Sequence, residues 1–403
     1  MTKKNSAPAK RVPAAVFIFG VVSFLTDVSS DMIYPLLPVF LTETLGAGQG
    51  FVGLVEGFAE STAALFMLLS GLWADRVKDR TKLILSGYSL SAFTKPLVAF
   101  AMNPWVVLFV RCADRIGKGV RTSPRDALIA DSVTPDMRGR AFGLQRSLDH
   151  AGAVTGPVLA TILLTFWIDD LRHLFLAAVI PGFLAVLLIA WKVREVSAEK
   201  RKAPSARVNL HPPSGKLRIY LCILFLFILG CSSDAFLLLR ASQLGVPHAW
   251  MPILWLVLNF VKALTTMPLG ALSDRLGRRR VILMGWMVYT LVYIGFAFAQ
   301  TPVHAWILFA CYGLFYGFTE GGERAILADY AGEGSRGEAY GWYYFVVGMA
   351  ALPASVIFGF VWQSFGAQTA FLMGASLAAA ASILLALFLF FVPSAPRQDS
   401  GVQ

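Results

Sequence analysis

Long apolar runs follow one another along almost the whole chain, and they leave few folds open to it. A helix needs about 20 mostly apolar residues to cross a bilayer. Reading the 403 residues with that window gives roughly twelve candidate spans, numbered here in chain order: about 12–41, 50–73, 83–101, 104–131, 139–166, 172–191, 217–240, 250–272, 281–300, 304–330, 338–362 and 367–392. Only 15% of the residues are charged, whereas soluble domains average about 25%. The sequence therefore predicts an all-α polytopic membrane protein.

The basic residues lie in alternate loops, and this distribution predicts the topology. Lys and Arg crowd the N-terminal tail, the turns near 76–82 and 275–280, and the central stretch 192–218. The intervening turns, near 42–50, 101–104, 241–249, 299–305 and 363–368, have neither. Loops rich in Lys and Arg stay on the cytoplasmic side. We expect a multi-pass protein of a bacterial-type inner membrane with both termini cytoplasmic. The cytoplasmic loops then account for the net charge of +11, so this charge does not indicate a nucleic-acid partner.

Three short motifs occur once in each half of the chain, in the same order. The triplet SSD stands at 29–31 and 232–234, GLWADR at 71–76 matches GALSDR at 270–275, and 127–143 resembles 325–341. Half-repeats around a central loop are typical of transporters, whose substrate site lies where the halves meet. The predicted organisation is a cytoplasmic tail (1–11), a six-helix bundle (12–191), a cytoplasmic linker (192–216), a second six-helix bundle (217–393) and a C-terminal cytoplasmic tail (394–403).

Ionisable residues are concentrated in a few spans, and these spans are expected to line a central pathway. A charge at membrane depth is costly and usually faces a cavity or a partner. Spans 6, 9, 11 and 12 have essentially no charge in their interiors, and span 3 has only Lys95, so these spans are expected to face lipid. The candidates for the substrate and proton pathway are Asp27, Asp31, Glu56, Arg111, Asp114, Arg115, Arg146, Asp149, Asp234, Lys262, Glu320, Glu323 and Arg324. Tyr34, Gln145 and Asn259 are further candidates, whereas Trp255 and Tyr344 are more readily explained by packing.

Several of these acidic residues are candidate proton carriers. A buried carboxyl group can load and release a proton. Six residues have this potential, and for each of them a permanent ion pair is the alternative: Asp27, Asp31, Glu56, Asp234, Glu320 and Glu323.

Five basic residues recur every three or four positions along span 4: Arg111, Arg115, Lys118, Arg121 and Arg125. This spacing keeps them broadly on one helical face. A cationic stripe in the pathway would suit an anionic or zwitterionic substrate. The alternative is that neighbouring acids neutralise the stripe as gate salt bridges, or that water solvates its cytoplasmic end.

The chain carries no sequence motif of an enzyme or of an ATP-driven pump. It has no Walker loop, no HExxH motif and no serine elbow beside Asp149 and His150. The four cysteines lie inside spans without the spacing of metal ligands. We therefore expect no catalytic residues, no metal and no cofactor, and a proton gradient as the energy source.

A basic loop motif occurs at matching places in the two halves. The second-half copy, GALSDRLGRRR, contains Gly270, Asp274, Arg275, Gly277, Arg278 and Arg279. The first-half copy, GLWADRVKDRTK, keeps Gly71, Asp75, Arg76 and Arg80 but has Lys78 and Asp79 where a Gly-Arg pair is usual. The motif resembles the loop between helices 2 and 3 of the major facilitator superfamily of secondary transporters. The resemblance implies twelve transmembrane helices in two pseudo-symmetric six-helix bundles, with a cytoplasmic latch in which Asp caps a helix and Arg pairs across the halves.

Spans 4 and 5 extend the resemblance. In RCADRIG, Arg111 stands at the intramembrane arginine that this family links to proton transfer. Gly143, Gly152 and the pair Gly156-Pro157 match the spacing of the family's antiporter motif on helix 5. Small residues allow close helix packing, and proline adds a kink. We expect span 5 to pack against a second-half helix as a seal. A plain packing face is the alternative.

Together these features predict a proton-coupled antiporter that works by alternating access, as a monomer in the lipid bilayer. It would export a small organic molecule, such as a drug or an anionic metabolite like a carboxylate siderophore. One alternative is proton-coupled import of an organic anion, which the cationic stripe favours. The other is a receptor or scaffold with the same fold that does not transport.

Overall fold

The computed structural model of the protein describes residues 13–74, 80–134, 137–192, 215–330 and 336–391, and within these ranges all regular structure is helical. The helices follow the twelve predicted spans. Their bounds, in chain order, are Ala14–Ile33, Gln49–Ala74, Arg80–Ala99, Pro104–Asp131, Arg138–Phe166, Leu171–Ala177 with Val179–Lys192, Gly215–Gly230 with Asp234–Gln243, Met251–Leu276, Arg278–Phe298, Pro302–Tyr330, and the two parts of Arg336–Phe391.

Eight helical stretches of the described residues are long and apolar enough to cross a bilayer. The longest, Gly341–Phe391, has a non-helical residue at Gly366, whose φ of 87° lies in the left-handed region that suits glycine. This break divides the stretch into spans 11 and 12. Spans 3, 4 and 10 have 20, 28 and 29 residues but more polar sequences.

Local sequence signals explain where several helices begin. Asn103 caps span 4 by accepting a hydrogen bond from the Trp105 backbone N–H at 2.9 Å, and Pro104 occupies the first turn. In span 1, Pro35 and Pro38 lie where the helix Ala14–Ile33 passes into short helical segments at Tyr34–Leu36, Leu37–Val39 and Phe40–Thr44.

Spans 6 and 7 differ from the continuous helices predicted for them. Span 6 consists of two consecutive helices that meet at Ala178. Span 7 is interrupted at residues 231–233, where the second SSD motif begins. Ser233 then caps the new helix by accepting a hydrogen bond from the Ala235 N–H at 3.3 Å.

The chain folds into two compact units. The first comprises Met1–Ala47, Phe58–Arg207 and Pro247–Leu256, and the second comprises Gly48–Gly57, Val208–Val246 and Val257–Gln403. The core of the first unit joins spans 1, 3, 4, 5 and 6 through Val16, Phe19, Val22, Ile84, Tyr88, Leu128, Ile129, Ala141, Ala185 and Ile189. The core of the second unit is aromatic: Phe227 stacks on Trp286 with ring centroids 4.0 Å apart, and Tyr289 stacks on Tyr293 at 4.2 Å.

Candidate functional site

In the first unit, two carboxyl groups from different helices meet. The carboxyl groups of Asp27 on span 1 and Asp149 on span 5 lie close enough to act on each other electrostatically, and a Cβ atom at Gly152, one turn from Asp149, would lie 3.0 Å from Asp27 Cβ. Both residues were predicted separately as pathway residues, and the structure brings them together. Two carboxylates close together repel each other, and a proton on either one would relieve that repulsion.

Glycines on span 5 make this contact possible. A Cβ atom at Gly152 would lie 2.5 Å from the Phe24 carbonyl oxygen, and one at Gly156 would lie 2.7 Å from that of Val28. These glycines thus pack against span 1 of the same unit, and the expectation that their partner would be a second-half helix is wrong. At Gly143 a Cβ atom would meet no described atom within 4 Å. The helix Arg138–Phe166 continues through Pro157.

Asp149 also connects to polar groups on its own helix. Arg146 Nη1 lies 3.8 Å from Asp149 Oδ2. The side-chain amide of Gln145, which is buried, donates to Asp149 Oδ1 at 3.5 Å and to Ser23 Oγ at 3.1 Å. Arg125 Nη1 donates to the same Ser23 hydroxyl at 3.2 Å. The carboxyl pair is therefore part of a network that includes spans 1, 4 and 5.

Asp31, one helical turn beyond Asp27, has an aromatic partner. Trp255 Nε1 donates to Asp31 Oδ1 at 3.3 Å, and its ring packs against Tyr34 with centroids 4.9 Å apart. The guanidinium carbon of Arg111 lies 5.4 Å from the centroid of the Tyr34 ring. The sequence favoured a packing role for Trp255. The structure adds a polar role, because its indole N–H binds a pathway carboxylate.

Lys95 is a member of the site that sequence reasoning missed. Its side chain is only 6% exposed, and Nζ donates to Ser29 Oγ at 3.2 Å and to Ser30 Oγ at 2.8 Å. Part of span 3 faces outward as expected, since Phe93 and Phe100 are 60% and 64% exposed, whereas Ile84 and Tyr88 are buried in the core of the unit. The sequence did contain a signal for this role, because Lys95 is the single charged residue in the interior of span 3. An ammonium group buried at membrane depth requires polar partners.

We expect Lys95→Met to weaken the first unit, because Ser29 and Ser30 would lose a buried charged donor. The loss of hydrogen bonds to a charged group costs about 1.5–3 kcal/mol. A lower midpoint of thermal unfolding in detergent would show this effect. Lys82→Met is the control, since Lys82 is exposed near the start of the same helix. Equal midpoints for the two variants would exclude a structural role for Lys95.

The cationic stripe of span 4 is largely neutralised from within the unit. Arg115 Nη2 pairs with Glu60 Oε1 at 3.1 Å, and Arg111 Nη1 lies 4.0 Å from Asp114 Oδ2. Two further cations of the stripe also have partners. Arg125 pairs with Asp126 at 2.9 Å, and Arg121 Nη1 donates to Ser91 Oγ at 2.6 Å. The alternative of internal neutralisation therefore describes three of the five cations, and Arg121 has a neutral hydrogen-bond partner instead.

Lys118 is the exception among the five cations of the stripe. Its side chain is exposed, and among the described residues it makes no ion pair or hydrogen bond. The ammonium group of Lys118 interacts electrostatically with Arg115, Glu60 and Asp27. Lys118 is thus the cation of the stripe that is best placed to meet a ligand.

The second unit contains its own polar cluster on spans 7, 8 and 10. Asp234, at the start of the helix after the span 7 break, accepts hydrogen bonds from Tyr312 Oη at 2.8 Å and from Tyr316 Oη at 3.1 Å. Lys262 Nζ lies 3.4 Å from Glu320 Oε2. The two tyrosines carried no ionisable signal at neutral pH and were not predicted from the sequence.

The other predicted residues are only partly described. Tyr343 Oη donates to Glu323 Oε2 at 2.8 Å, and Glu56 is buried. Asp75 and Arg76 lie outside the described residues, as do the two tails and residues 193–214 of the linker. Gly71, Asp274, Arg275 and Arg324 lie in described helices, but their side-chain environments are outside the described part of the chain.

The loop motifs have a local structural basis where they are described. Arg80 Nη1 pairs with Asp131 Oδ2 at 2.8 Å within the first unit. Gly277, with φ of 93°, precedes the helix that begins at Arg278 and Arg279, and a side chain would be strained there. A Cβ atom at Gly270 would meet no described atom within 4 Å. Pairing of these arginines across the halves stays a prediction.

Ionisable networks inside membrane spans are typical of proteins that move ions or substrates across the membrane. The sequence model of the Major Facilitator Superfamily matches residues 19–261 and 221–402. The chain therefore belongs to this superfamily: it is a secondary transporter with the fold of that family, and not an enzyme.

Relatives and solved structures agree with this assignment. An uncharacterized MFS-type transporter of Methanocaldococcus jannaschii is 33% identical over 389 residues, covering 95% of this chain and 97% of that protein. A multi-drug resistance efflux pump, PmrA of Streptococcus pneumoniae, is 25% identical over 318 residues, covering 76% and 78% of the two chains. The crystal structure of the nucleoside transporter NupG superposes with a TM-score of 0.78 at 14% identity, covering 94% of this chain and all of the other, and it shows the fold alone.

Proposed function

We propose that the chain is a proton-coupled exporter of a small organic molecule, working by alternating access. The contact between Asp27 and Asp149 carries this proposal. A carboxyl pair that shares one proton can release it on one side of a membrane and regain it on the other. The similarity to a multi-drug efflux pump supports the outward direction.

The surrounding residues suit this role. Gln145 and Arg146 contact the carboxylate of Asp149 from the same helix. These contacts would keep that carboxylate in place during the transport cycle. Trp255 and Lys95 hold the neighbouring turn of span 1 through Asp31 and Ser30. Protonation of the pair changes the charge at a point where several helices meet, and such a change can bias a conformational equilibrium.

The first test is proton movement in everted membrane vesicles under an imposed pH gradient. Dyes, antibiotics and polycarboxylates would be added one by one to vesicles with and without the protein. We expect at least one compound to collapse the gradient only where the protein is present. If no compound does so while the protein is folded in the membrane, the exporter proposal is wrong.

We further propose the inner membrane as the site of action, cytoplasmic termini, and a monomer built from the bundles 12–191 and 217–393. The positive loops support the orientation. Cysteine labelling from each side would test it at positions in the two tails, for example Ser6→Cys and Ser400→Cys.

A second candidate function is proton-coupled import of an organic anion. The exposed ammonium of Lys118, close to carboxyl groups that can be protonated, favours it. Protonation of these carboxyl groups would remove their competition for Lys118, so that an anion and a proton would bind together.

Under this second function, Lys118→Gln is expected to reduce uptake of organic anions about tenfold, which corresponds to the loss of one partly exposed charge contact of about 1.4 kcal/mol. Uptake of labelled polycarboxylates into cells with an imposed proton gradient measures the effect. Lys192→Gln is the control, because Lys192 lies on the Trp191 ring at the end of span 6. Unchanged uptake in both variants would rule out Lys118 as an anion ligand.

A further inference from the structure

The polar cluster of the second unit has the composition of a binding site for an organic cation. It consists of Asp234, Lys262, Tyr312, Tyr316 and Glu320, here called the ammonium cluster. With two carboxylates and one ammonium, it holds one more negative than positive charge. The sequence reading treated Lys262, Asp234 and Glu320 as separate pathway residues, without assigning them a common ligand.

The position of Lys262 shows what the cluster recognises. Its ammonium nitrogen lies 3.4 Å from Glu320 Oε2 and 4.6 Å from the centroid of the Tyr316 ring. A carboxylate and an aromatic face both bind ammonium ions in proteins. The ammonium group of Lys262 therefore occupies a site whose groups suit an ammonium ion.

The acidic side of the cluster strengthens this site. Tyr316 Oη donates to both Asp234 oxygens, at 3.2 and 3.1 Å, and Tyr312 Oη donates to Oδ1 at 2.8 Å. A phenol that donates to a carboxylate carries more electron density on its ring, which favours a cation on the ring face. Asp234 thus acts on the site through Tyr316.

The ammonium cluster is partly exposed at Lys262 and Glu320 and buried at Tyr312. The side chains of Lys262 and Glu320 are 28% and 36% exposed, whereas Tyr312 is 2% exposed. Partly exposed ion pairs contribute little to stability, and Lys has a flexible four-carbon stem. Lys262 can therefore leave the site at small cost, while the tyrosines and Asp234 remain in place.

We infer that the ammonium of Lys262 occupies the binding site of a cationic substrate, and that an organic ammonium ion displaces it to bind Glu320 and the Tyr316 ring. This inference rests on the proposed function and narrows its substrate class to organic cations.

The test is equilibrium binding of ethidium, a fluorescent organic cation, to the purified full-length chain in detergent at neutral pH, followed by fluorescence anisotropy. We expect Lys262→Gln to bind ethidium about tenfold more tightly than the unmodified chain, since a competing charge near the site is removed. Glu320→Gln should bind about tenfold more weakly, and Lys262→Arg should change little. Lys216→Gln is the matched control, because Lys216 is exposed at the start of span 7.

Several outcomes would overturn the inference. These are unchanged or weaker ethidium binding in Lys262→Gln, unchanged binding in Glu320→Gln, or a loss of binding of the anionic dye fluorescein in Lys262→Gln. Lys262→Met serves as a second neutral variant if the Gln variant does not fold, as judged by thermal unfolding. Binding needs no gradient, so tight ethidium binding would leave the cation site standing even if no compound moved protons in vesicles and the exporter proposal were refuted.

Discussion

Replacing Asp149 with Asn is expected to abolish gradient-driven transport while substrate exchange across the membrane continues. The side-chain amide of Asn cannot take part in sharing a titratable proton with Asp27, and it can donate a hydrogen bond that fixes the Asp27 carboxylate in its charged form. The chain would then have no proton to release at this contact. Substrate-for-substrate exchange needs no net proton movement, so it should persist.

Proteoliposomes with an imposed pH gradient separate the two activities. The variant should fail to accumulate a substrate against its gradient but still exchange labelled for unlabelled substrate. Asp27→Asn should behave in the same way, since either change removes one carboxyl group of the pair. Asp169→Asn, in the exposed turn after span 5, is the control. Gradient-driven accumulation at the normal rate in Asp149→Asn would exclude the pair as the proton site.

Replacing Gly152 with Val is expected to destabilise the protein severely, whereas Gly143→Val is expected to be tolerated. The added Cβ atom would lie 2.5 Å from the Phe24 carbonyl oxygen and 3.0 Å from Asp27 Cβ. Backbone cannot move aside cheaply, so spans 1 and 5 would have to separate. Overpacking of this kind costs about 3 kcal/mol. It would also separate Asp27 from Asp149.

The comparison of the two variants isolates this packing effect. Both replace a glycine within the helix Arg138–Phe166 by the same residue, so the change in helix propensity is similar. At Gly143 the added Cβ atom would meet no described atom within 4 Å. The measurement is the amount of monodisperse protein after extraction, together with its midpoint of thermal unfolding. Equal stability of the two variants would show that spans 1 and 5 do not need the close contact at Gly152.

The glycines of span 5 show that a spacing visible in the sequence does not reveal which helix packs against it. Their spacing is visible in the sequence, and it identifies the helix. The partner that they contact is not visible, because a glycine marks close approach without specifying the neighbouring helix. Span 1 became the partner through tertiary packing, and the same packing placed Asp149 against Asp27.

The sequence by itself determined the fold class, the twelve spans and the membership of a transporter family. These follow from long apolar runs, from proline and glycine at helix ends, and from repeated motifs, all of which are local properties. It also identified most of the ionisable residues of the site, because charges are rare and costly in spans.

Only the tertiary structure decided which of these residues meet. Lys95, Tyr312 and Tyr316 gave weak or no signals in the sequence, yet they bind the serines of span 1 and the carboxylate of Asp234. Four cations of span 4 have neutralising or polar partners, and Lys118 is exposed. The physical reason is that the helical period fixes which face a residue occupies, whereas the partner on that face depends on how separate helices pack.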